Sequence, residues 1–390
     1  MGKKIPFSPP DITKDEINEV VKVLESGWIT SGPKVLEFEE AMKKFCEANY
    51  AVAVNSATAG MELLLKVFDI KEGDEVITTT YTYAATANVI VHRGIKPTFV
   101  DVEKDSFLID IDAVEKAITP RTKVIMPVDY AGVPVDYDKL KNMLKRIGRE
   151  DIITICDSAH SYGAKYKGKR VGTQCDFHVF SFHAVKNLTT AEGGGITFNN
   201  NIKGKEELLR ELKVTALHGQ TKDALSKMKA GAWQYDIITD GFKCNMTDIM
   251  AAIGVAQMKR YEEMLDYRKQ IFEIYNNNLK DKEWAIVPFT KDDIEESCYH
   301  LFPLRIKGFE EKDRNKVIEK LAEKDIATNV HFMPLPMLTL YKNLGYKIED
   351  YPNAYNQYKN EISLPVYSIL PLEDADYLVK EVIKAVEEII

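Results

Sequence analysis

Residues 177–198 read Phe177-His178-Val179-Phe180-Ser181-Phe182-His183-Ala184-Val185-Lys186-Asn187-Leu188-Thr189-Thr190-Ala191-Glu192-Gly193-Gly194-Gly195-Ile196-Thr197-Phe198. The two ends, 177–180 and 196–198, are apolar and alternating, which predicts two strands with Lys186 on an irregular turn between them. An amine enclosed there is desolvated, so its protonated form is disfavoured and it becomes a Schiff-base nucleophile toward an aldehyde or ketone. A surface lysine beside a glycine hinge fits these residues equally well. The three glycines permit close backbone approach or positive φ, and a simple loop uses them too.

Upstream, the chain alternates strand and helix. Residues 51–55, 76–78, 97–102, 124–128 and 152–156 read as strands, with helices opening near Ser56, Ala84 and Ala113, a pattern that predicts an α/β layer around a mostly parallel sheet. Asp157-Ser158-Ala159-His160 follows the carboxyl end of the 152–156 strand, the edge at which open α/β sheets collect ligands. A buried carboxylate there needs a cation or donors, although capping the turn before Ser161 is a competing role. Ser56-Ala57-Thr58 takes a strand directly into a helix, so free N–H groups and the positive end of the helix dipole converge on one spot suited to a phosphate. The simpler alternative is that Ser56 only caps its helix.

Ahead of the sheet, Thr13 with Glu16 carries a capping-box signature for an amphipathic helix ending before Gly27, and a second helix follows the loop Trp28–Pro33. Residues 205–231 read as charged and helical. Residues 249–258 are apolar over more of the circumference than a surface helix, which predicts a scaffold between domains or subunits. After about residue 260 the texture changes to a long helix over 261–279, short strands near 300–304 and 329–331, a helix over 312–324 and a last helix from Glu373. The expected division is a large domain over 1–250 and a small α+β domain over 251–390.

Composition bounds the function class. A chain of 390 residues, 45% apolar and 29% charged, is an ordinary globular protein. The net charge of −8, with signs intermixed, argues against a nucleic-acid footprint. Five scattered cysteines without a CxxC pair predict free thiols in a reducing compartment and no metal site. With no signal-peptide core and no apolar run of spanning length, the expectation is a cytoplasmic protein that does not enter a membrane.

Pyridoxal phosphate needs a lysine for its aldehyde, a carboxylate for its pyridine nitrogen, an anion pocket and an aromatic face. Lys186, Asp157, the helix start at Ser56–Thr58 and Tyr83 supply one each. Four motifs then occur in order: Glu25-Ser26-Gly27-Trp28-Ile29-Thr30, Asn55-Ser56-Ala57-Thr58-Ala59-Gly60, Ser181-Phe182-His183-Ala184-Val185-Lys186 and Gly241-Phe242-Lys243-Cys244-Asn245-Met246-Thr247-Asp248. With them the sequence resembles the pyridoxal-phosphate-dependent nucleotide-sugar aminotransferases of the DegT/DnrJ/EryC1/StrS family, and within it most the UDP-4-amino-4-deoxy-L-arabinose aminotransferases.

The resemblance implies the aspartate-aminotransferase (type I) fold, with a mixed, mostly parallel seven-stranded sheet, a small α+β C-terminal domain and a homodimer with shared active sites. It implies that Lys186 holds the cofactor's aldehyde and moves the substrate proton, that Asp157 pairs with the pyridinium nitrogen, and that His160 lies on the phenolic-oxygen side. Tyr83 is the implied stacking aromatic. Ala57 and Thr58 meet the phosphate through backbone N–H groups, with Ser181 adding its hydroxyl and Asn245 reaching across from the partner. Trp28, Thr30 and His331 fall near the substrates. The implied reaction moves the amino group of L-glutamate to C4 of a UDP-linked 4-keto sugar; C3 or a dTDP- or GDP-linked sugar is the alternative. Retention of Lys186 argues against the family's dehydratases, which carry histidine there. The run His331–Met337 lacks a second histidine that close relatives often carry, which bears on the sugar's identity and not on the transamination.

Overall fold

The computed structural model describes residues 4–202, 204–222 and 233–390, so the end of the helical reading over 205–231 lies outside the described residues. Seven strands form the central sheet: β1 (Tyr50–Val54), β2 (Glu75–Thr79), β3 (Thr98–Val100), β4 (Thr122–Met126), β5 (Ile153–Asp157), β6 (Phe177–Ser181) and β7 (Gly194–Phe198). Their order is β1-β7-β6-β5-β4-β2-β3. Both pairings of β7 are antiparallel and the other four are parallel, so β7 alone runs against the rest.

The strands read as continuous apolar runs because both faces of the sheet are covered. Successive residues alternate between two cores: Ile77, Ile125, Cys156 and Phe180 enter one, and Val76, Val124, Ile155 and Val179 enter the other. With six strands sharing a direction, the carboxyl ends of β1, β2, β4, β5 and β6 open on one edge of the sheet. Residues 56–58, 80–83, 127–129, 157–160 and 181–186 follow those ends directly.

The first helix, Lys14–Ser26, starts with the capping box read from Thr13 and Glu16 and ends at Gly27 in the left-handed region. The apolar helix Asp248–Met258 packs against both Lys14–Ser26 and Pro33–Cys46. Its first residue clamps the second of these: buried Asp248 accepts the N–H groups of Gly32 at 2.7 Å and Val35 at 3.0 Å through Oδ1, and that of Lys34 at 3.1 Å through Oδ2. Gly32 has no side chain to cap that helix, and Asp248 supplies the missing acceptor.

A second sheet in the order β8 (Ala285–Ile286), β9 (Phe302–Ile306), β10 (Glu361–Leu364) packs with the helices Tyr261–Leu279, Glu311–Ala322 and Leu372–Glu387 around a separate core. Ile5 is buried in that core and bridges Ile326, so the N-terminal arm crosses to the C-terminal part and delivers Phe7 and Ser8 to the seam. Residues 329–331, expected as a strand, instead make a single bridge, Asn329 to Ser363. The ladder stops there because the carbonyl of His331 is taken by the Tyr130 hydroxyl and its N–H by Glu361. All five cysteines are buried free thiols, and no helix among the described residues is long and apolar enough to cross a membrane.

Candidate active site

A cavity of about 480 Å³ lies at the carboxyl edge, closed on one side by the C-terminal part and the N-terminal arm. Ala57, Thr58, Tyr83, Asp157, His160, Ser181, Lys186 and His331 all line it. Eight of the eleven site residues expected from the sequence are thus brought together from five segments.

The loop carrying Lys186 is fixed from both ends. Phe182 bonds back to Gly193, Thr190 bonds to Phe182, and the N–H of Thr189 donates to Gln257 Oε1 at 2.9 Å. Lys186 is half-buried among apolar walls; burial lowers its pKa to about 8, against the pull of Asp157. Asp157 is buried at the end of β5. Thr86 Oγ1 donates to its Oδ2 at 2.6 Å and the N–H of Ala159 to its Oδ1 at 3.1 Å. Burial raises its pKa, and those donors with Lys186 oppose the rise.

The helix Ala57–Val67 begins at Ser56, whose side chain accepts the N–H of Ala59 at 3.1 Å. The N–H groups of Ala57 and Thr58 come earlier in the first turn and have no intrahelical acceptor. Gly194 sits directly behind them: a Cβ there would lie 2.4 Å from the Ser56 carbonyl carbon and 2.5 Å from Ala57 N. The glycines therefore serve close approach, since none of 193–195 has positive φ. Tyr83 is 65% exposed while Tyr81 is fully buried, so only the former presents a ring to the cavity.

His160 accepts the N–H of Ala131 at Nδ1, 3.3 Å away. Burial, then Lys186 and His331, hold its pKa well below the usual histidine value, so the ring is neutral. Below it, Ser158 donates to Asp129 Oδ2 at 2.8 Å and pairs with His178 Nδ1 at 2.9 Å, while His178 Nε2 accepts the N–H groups of Gln174 and Cys175. Asp129, Cys156 and His178 cluster within 4.8 Å, and this hydrogen-bond network engages the carboxylate and both ring nitrogens.

The sequence reading did not anticipate His300, Thr86 or Phe332. The His300 ring lies 4.5 Å from that of His160, and its Nδ1 is 2.7 Å from Oδ1 of Asn187, the residue after Lys186. Phe332 stacks on His160 at 5.7 Å. Trp28, Thr30 and Asn245 lie outside the cavity of their own chain and form a second cluster. Asn245 Nδ2 donates to Ser31 Oγ at 2.5 Å, Trp28 Nε1 to the Ser31 carbonyl at 3.2 Å, and the N–H of Asp248 to the Thr30 carbonyl at 3.1 Å.

A model of the DegT/DnrJ/EryC1/StrS aminotransferase family matches residues 10–383. The chain belongs to that family. It is 39% identical over 393 residues to the spore coat polysaccharide biosynthesis protein SpsC of Bacillus subtilis, covering 99% of this chain and 97% of that protein. Spr1654 of Streptococcus pneumoniae, assigned as a sugar aminotransferase, has been solved in PLP, PMP and apo forms. Its PLP form superposes with a TM-score of 0.95 at 43% identity, covering all of both chains. PseC of Helicobacter pylori, an aminotransferase involved in pseudoaminic acid biosynthesis, gives 0.89 at 30%, covering 99% of this chain and 100% of that one. The fold is therefore the type I aminotransferase fold expected from the sequence, with its seven-stranded, mostly parallel sheet. None of these three names refers to arabinose, and the narrower likeness to UDP-4-amino-4-deoxy-L-arabinose aminotransferases gains no support from them.

Proposed function

We propose that the chain is a sugar aminotransferase that transfers the amino group of L-glutamate to C4 of a UDP-linked 4-keto sugar for polysaccharide or modified-sugar biosynthesis. Its cofactor is pyridoxal phosphate. The observation that carries this reading is the pairing, across one cavity, of a lysine amine whose pKa is lowered to about 8 with a buried carboxylate and a helix start with free N–H groups. Those are the groups the cofactor requires, so the residues present fit it. Pyridoxal phosphate supplies an aldehyde and an electron-withdrawing ring that makes a proton on an attached carbon removable.

The chain's own residues do the rest. Lys186 Nζ, uncharged for about a tenth of the time at pH 7 and about half at pH 8, is the base that takes and returns the substrate proton. Asp157, its carboxylate oriented by Thr86 at Oδ2 and by the Ala159 N–H at Oδ1, would keep a proton on the cofactor's ring nitrogen. Ala57, Thr58 and Ser181 bind the phosphate, and Tyr83 covers the ring. His160, neutral, offers a hydrogen bond without adding charge. The apolar wall of Phe7, Leu301 and Phe332 excludes water.

The chain works as a homodimer, with Asn245, Trp28 and Thr30 entering the partner's cavity. Their position in a separate cluster supports this, as do the exposed apolar residues Ile29, beside Trp28 and Thr30 in the chain, and Tyr83 and Val185, which also line the cavity. The names of PseC and SpsC support a sugar substrate. The decisive experiment assays glutamate-dependent 2-oxoglutarate release against UDP-, dTDP- and GDP-linked 4-keto and 3-keto sugars. Turnover confined to UDP-linked 4-keto sugars is expected, and Asp157→Asn retains the cofactor but loses most of that turnover. Preference for another carrier or for C3 overturns the finer assignment, and no release with any sugar overturns the reading.

A further inference from the structure

His331 is held at every polar atom but one. Its N–H donates to Glu361 Oε2 at 3.0 Å, its carbonyl accepts from the Tyr130 hydroxyl, and its Nδ1 lies 2.8 Å from Ser363 Oγ. Phe7 stacks on the ring at 5.4 Å between centroids. Glu361 and Ser363 are fully buried neighbours on one face of β10, and 2.5 Å separates Glu361 Oε1 from Ser363 Oγ. Among the described residues Nε2 has no protein partner, and His331 lines the cavity that also holds Lys186.

One hydroxyl carries one proton, and that fact governs the row. When Glu361 is ionised, Ser363 donates to Oε1, offers only lone pairs to His331, and so requires the proton on Nδ1. Nε2 then faces the cavity with a lone pair. When Glu361 is protonated, Oε1 donates to Ser363, Ser363 donates to Nδ1, and Nε2 carries the proton. We propose that Glu361 is a positioning residue which, through Ser363, sets which ring nitrogen of His331 is protonated, and so whether Nε2 accepts from or donates to the bound substrate. The lone-pair form suits a sugar hydroxyl. The N–H form suits a carboxylate oxygen of the amino donor, so one atom serves both substrates of a two-stage transfer. This inference rests on the aminotransferase reading of the cavity.

The surroundings keep the switch within reach. Burial raises the Glu361 pKa to about 8, opposed by Ser363, the N–H of His331 and Arg314. Arg314 faces Glu361 from the helix Glu311–Ala322, Arg305 from β9, Tyr358 from the end of the helix Pro352–Tyr358, and Tyr81 and Tyr130 from the segments that follow β2 and β4. Lys186, His160 and His300 face His331, whose own pKa burial and then Lys186 lower to about 4. The ring is thus neutral above about pH 5, and only its tautomer changes.

The test is ¹⁵N NMR of the histidine-labelled holoprotein, because the shift of each ring nitrogen reports whether it carries a proton; His331→Asn identifies the resonance. In the wild type the proton is expected to move from Nε2 to Nδ1 between pH 6.5 and 9.5. Glu361→Gln presents an amide N–H to Ser363 and should keep the proton on Nε2 throughout. Ser363→Ala should abolish the pH dependence. At pH 9 Glu361→Gln should raise KM for the keto sugar about tenfold, the equivalent of one hydrogen bond, with a smaller change in kcat. Identical tautomers in wild type and Glu361→Gln at pH 9.5, or an unaltered transition in Ser363→Ala, overturn the proposal. Failure of every sugar as acceptor would refute the aminotransferase reading and leave the tautomer result standing, so the two failures are distinguishable.

Discussion

Replacing Gly194 by alanine tests whether the glycines after Lys186 exist to let a strand touch the phosphate-binding turn. The added Cβ would stand 2.4 Å from the Ser56 carbonyl carbon, 2.5 Å from Ala57 N and 2.6 Å from the Ser56 oxygen. Ordinary contact begins near 3.4 Å, so β7 and the helix start must separate by about 1 Å. Neither side can yield by a rotamer change, because all three atoms are backbone and Gly194 is paired to Val54 on β1 and Ser181 on β6. Gly194 lies outside the left-handed region, so the effect is steric and not conformational. Overpacking of this kind costs about 1–3 kcal/mol of stability. The same displacement moves the N–H groups of Ala57 and Thr58; weakening one charge-assisted hydrogen bond, worth about 1.5–3 kcal/mol, raises the Kd for pyridoxal phosphate about 10- to 100-fold. Titration of the apoprotein with pyridoxal phosphate, followed by absorbance, reads the affinity, and thermal melting reads the stability. Gly195→Ala is the control, since its Cβ meets mainly the flexible Met42 side chain, with Sδ at 2.5 Å, and it should lower Tm with little change in cofactor affinity. A folded Gly194→Ala protein that binds pyridoxal phosphate as tightly as the wild type would refute the reasoning.

Two further outcomes are expected. With a pKa of about 8, Lys186 in the apoprotein should capture pyridoxal phosphate, trapped by borohydride, at a rate that rises about tenfold from pH 6 to 7 and levels off above pH 8; a rate still climbing steeply past pH 9 would point to an ordinary exposed lysine. Equal mixing of inactive Lys186→Ala and Asn245→Ala chains should recover about a quarter of wild-type activity, since half the dimers are mixed and each has one intact site. Recovery of none would place Asn245 in its own chain's site.

The large sheet was readable because each strand is buried on both faces and therefore shows as a short apolar run, and Asp157 and Lys186 were readable because each follows such a run directly. Helix Tyr261–Leu279 emerged with the limits its pattern gives. The reading failed where secondary structure depends on a partner. Strand β10 carries Glu361 and Ser363 at positions a surface strand would turn to solvent, yet both are buried beneath His331. Residues 329–331 look like a strand by composition, and lose the ladder to Tyr130 and Glu361.

The same distinction separates the legible half of the site from the hidden half. Lys186, Asp157 and the Ser56 turn are each defined by what lies beside them in sequence, since a strand end fixes where the next side chain points. His300 is defined by Asn187, 113 positions away, whose amide oxygen orients its ring, and by Arg268, which donates to the carbonyls of Tyr299 and His300 at 3.0 and 2.8 Å. Nothing near His300 in the chain announces that geometry. Three histidines, 160, 300 and 331, consequently line one side of the cavity, and burial holds all of them neutral beside Lys186. Had any been charged, its repulsion would push the Lys186 pKa further down while adding an unpaired cation to an apolar wall. Neutral rings supply hydrogen-bond donors and acceptors without that penalty, leaving the charge balance of the cavity to Lys186 and the carboxylates Asp129, Asp157 and Glu192.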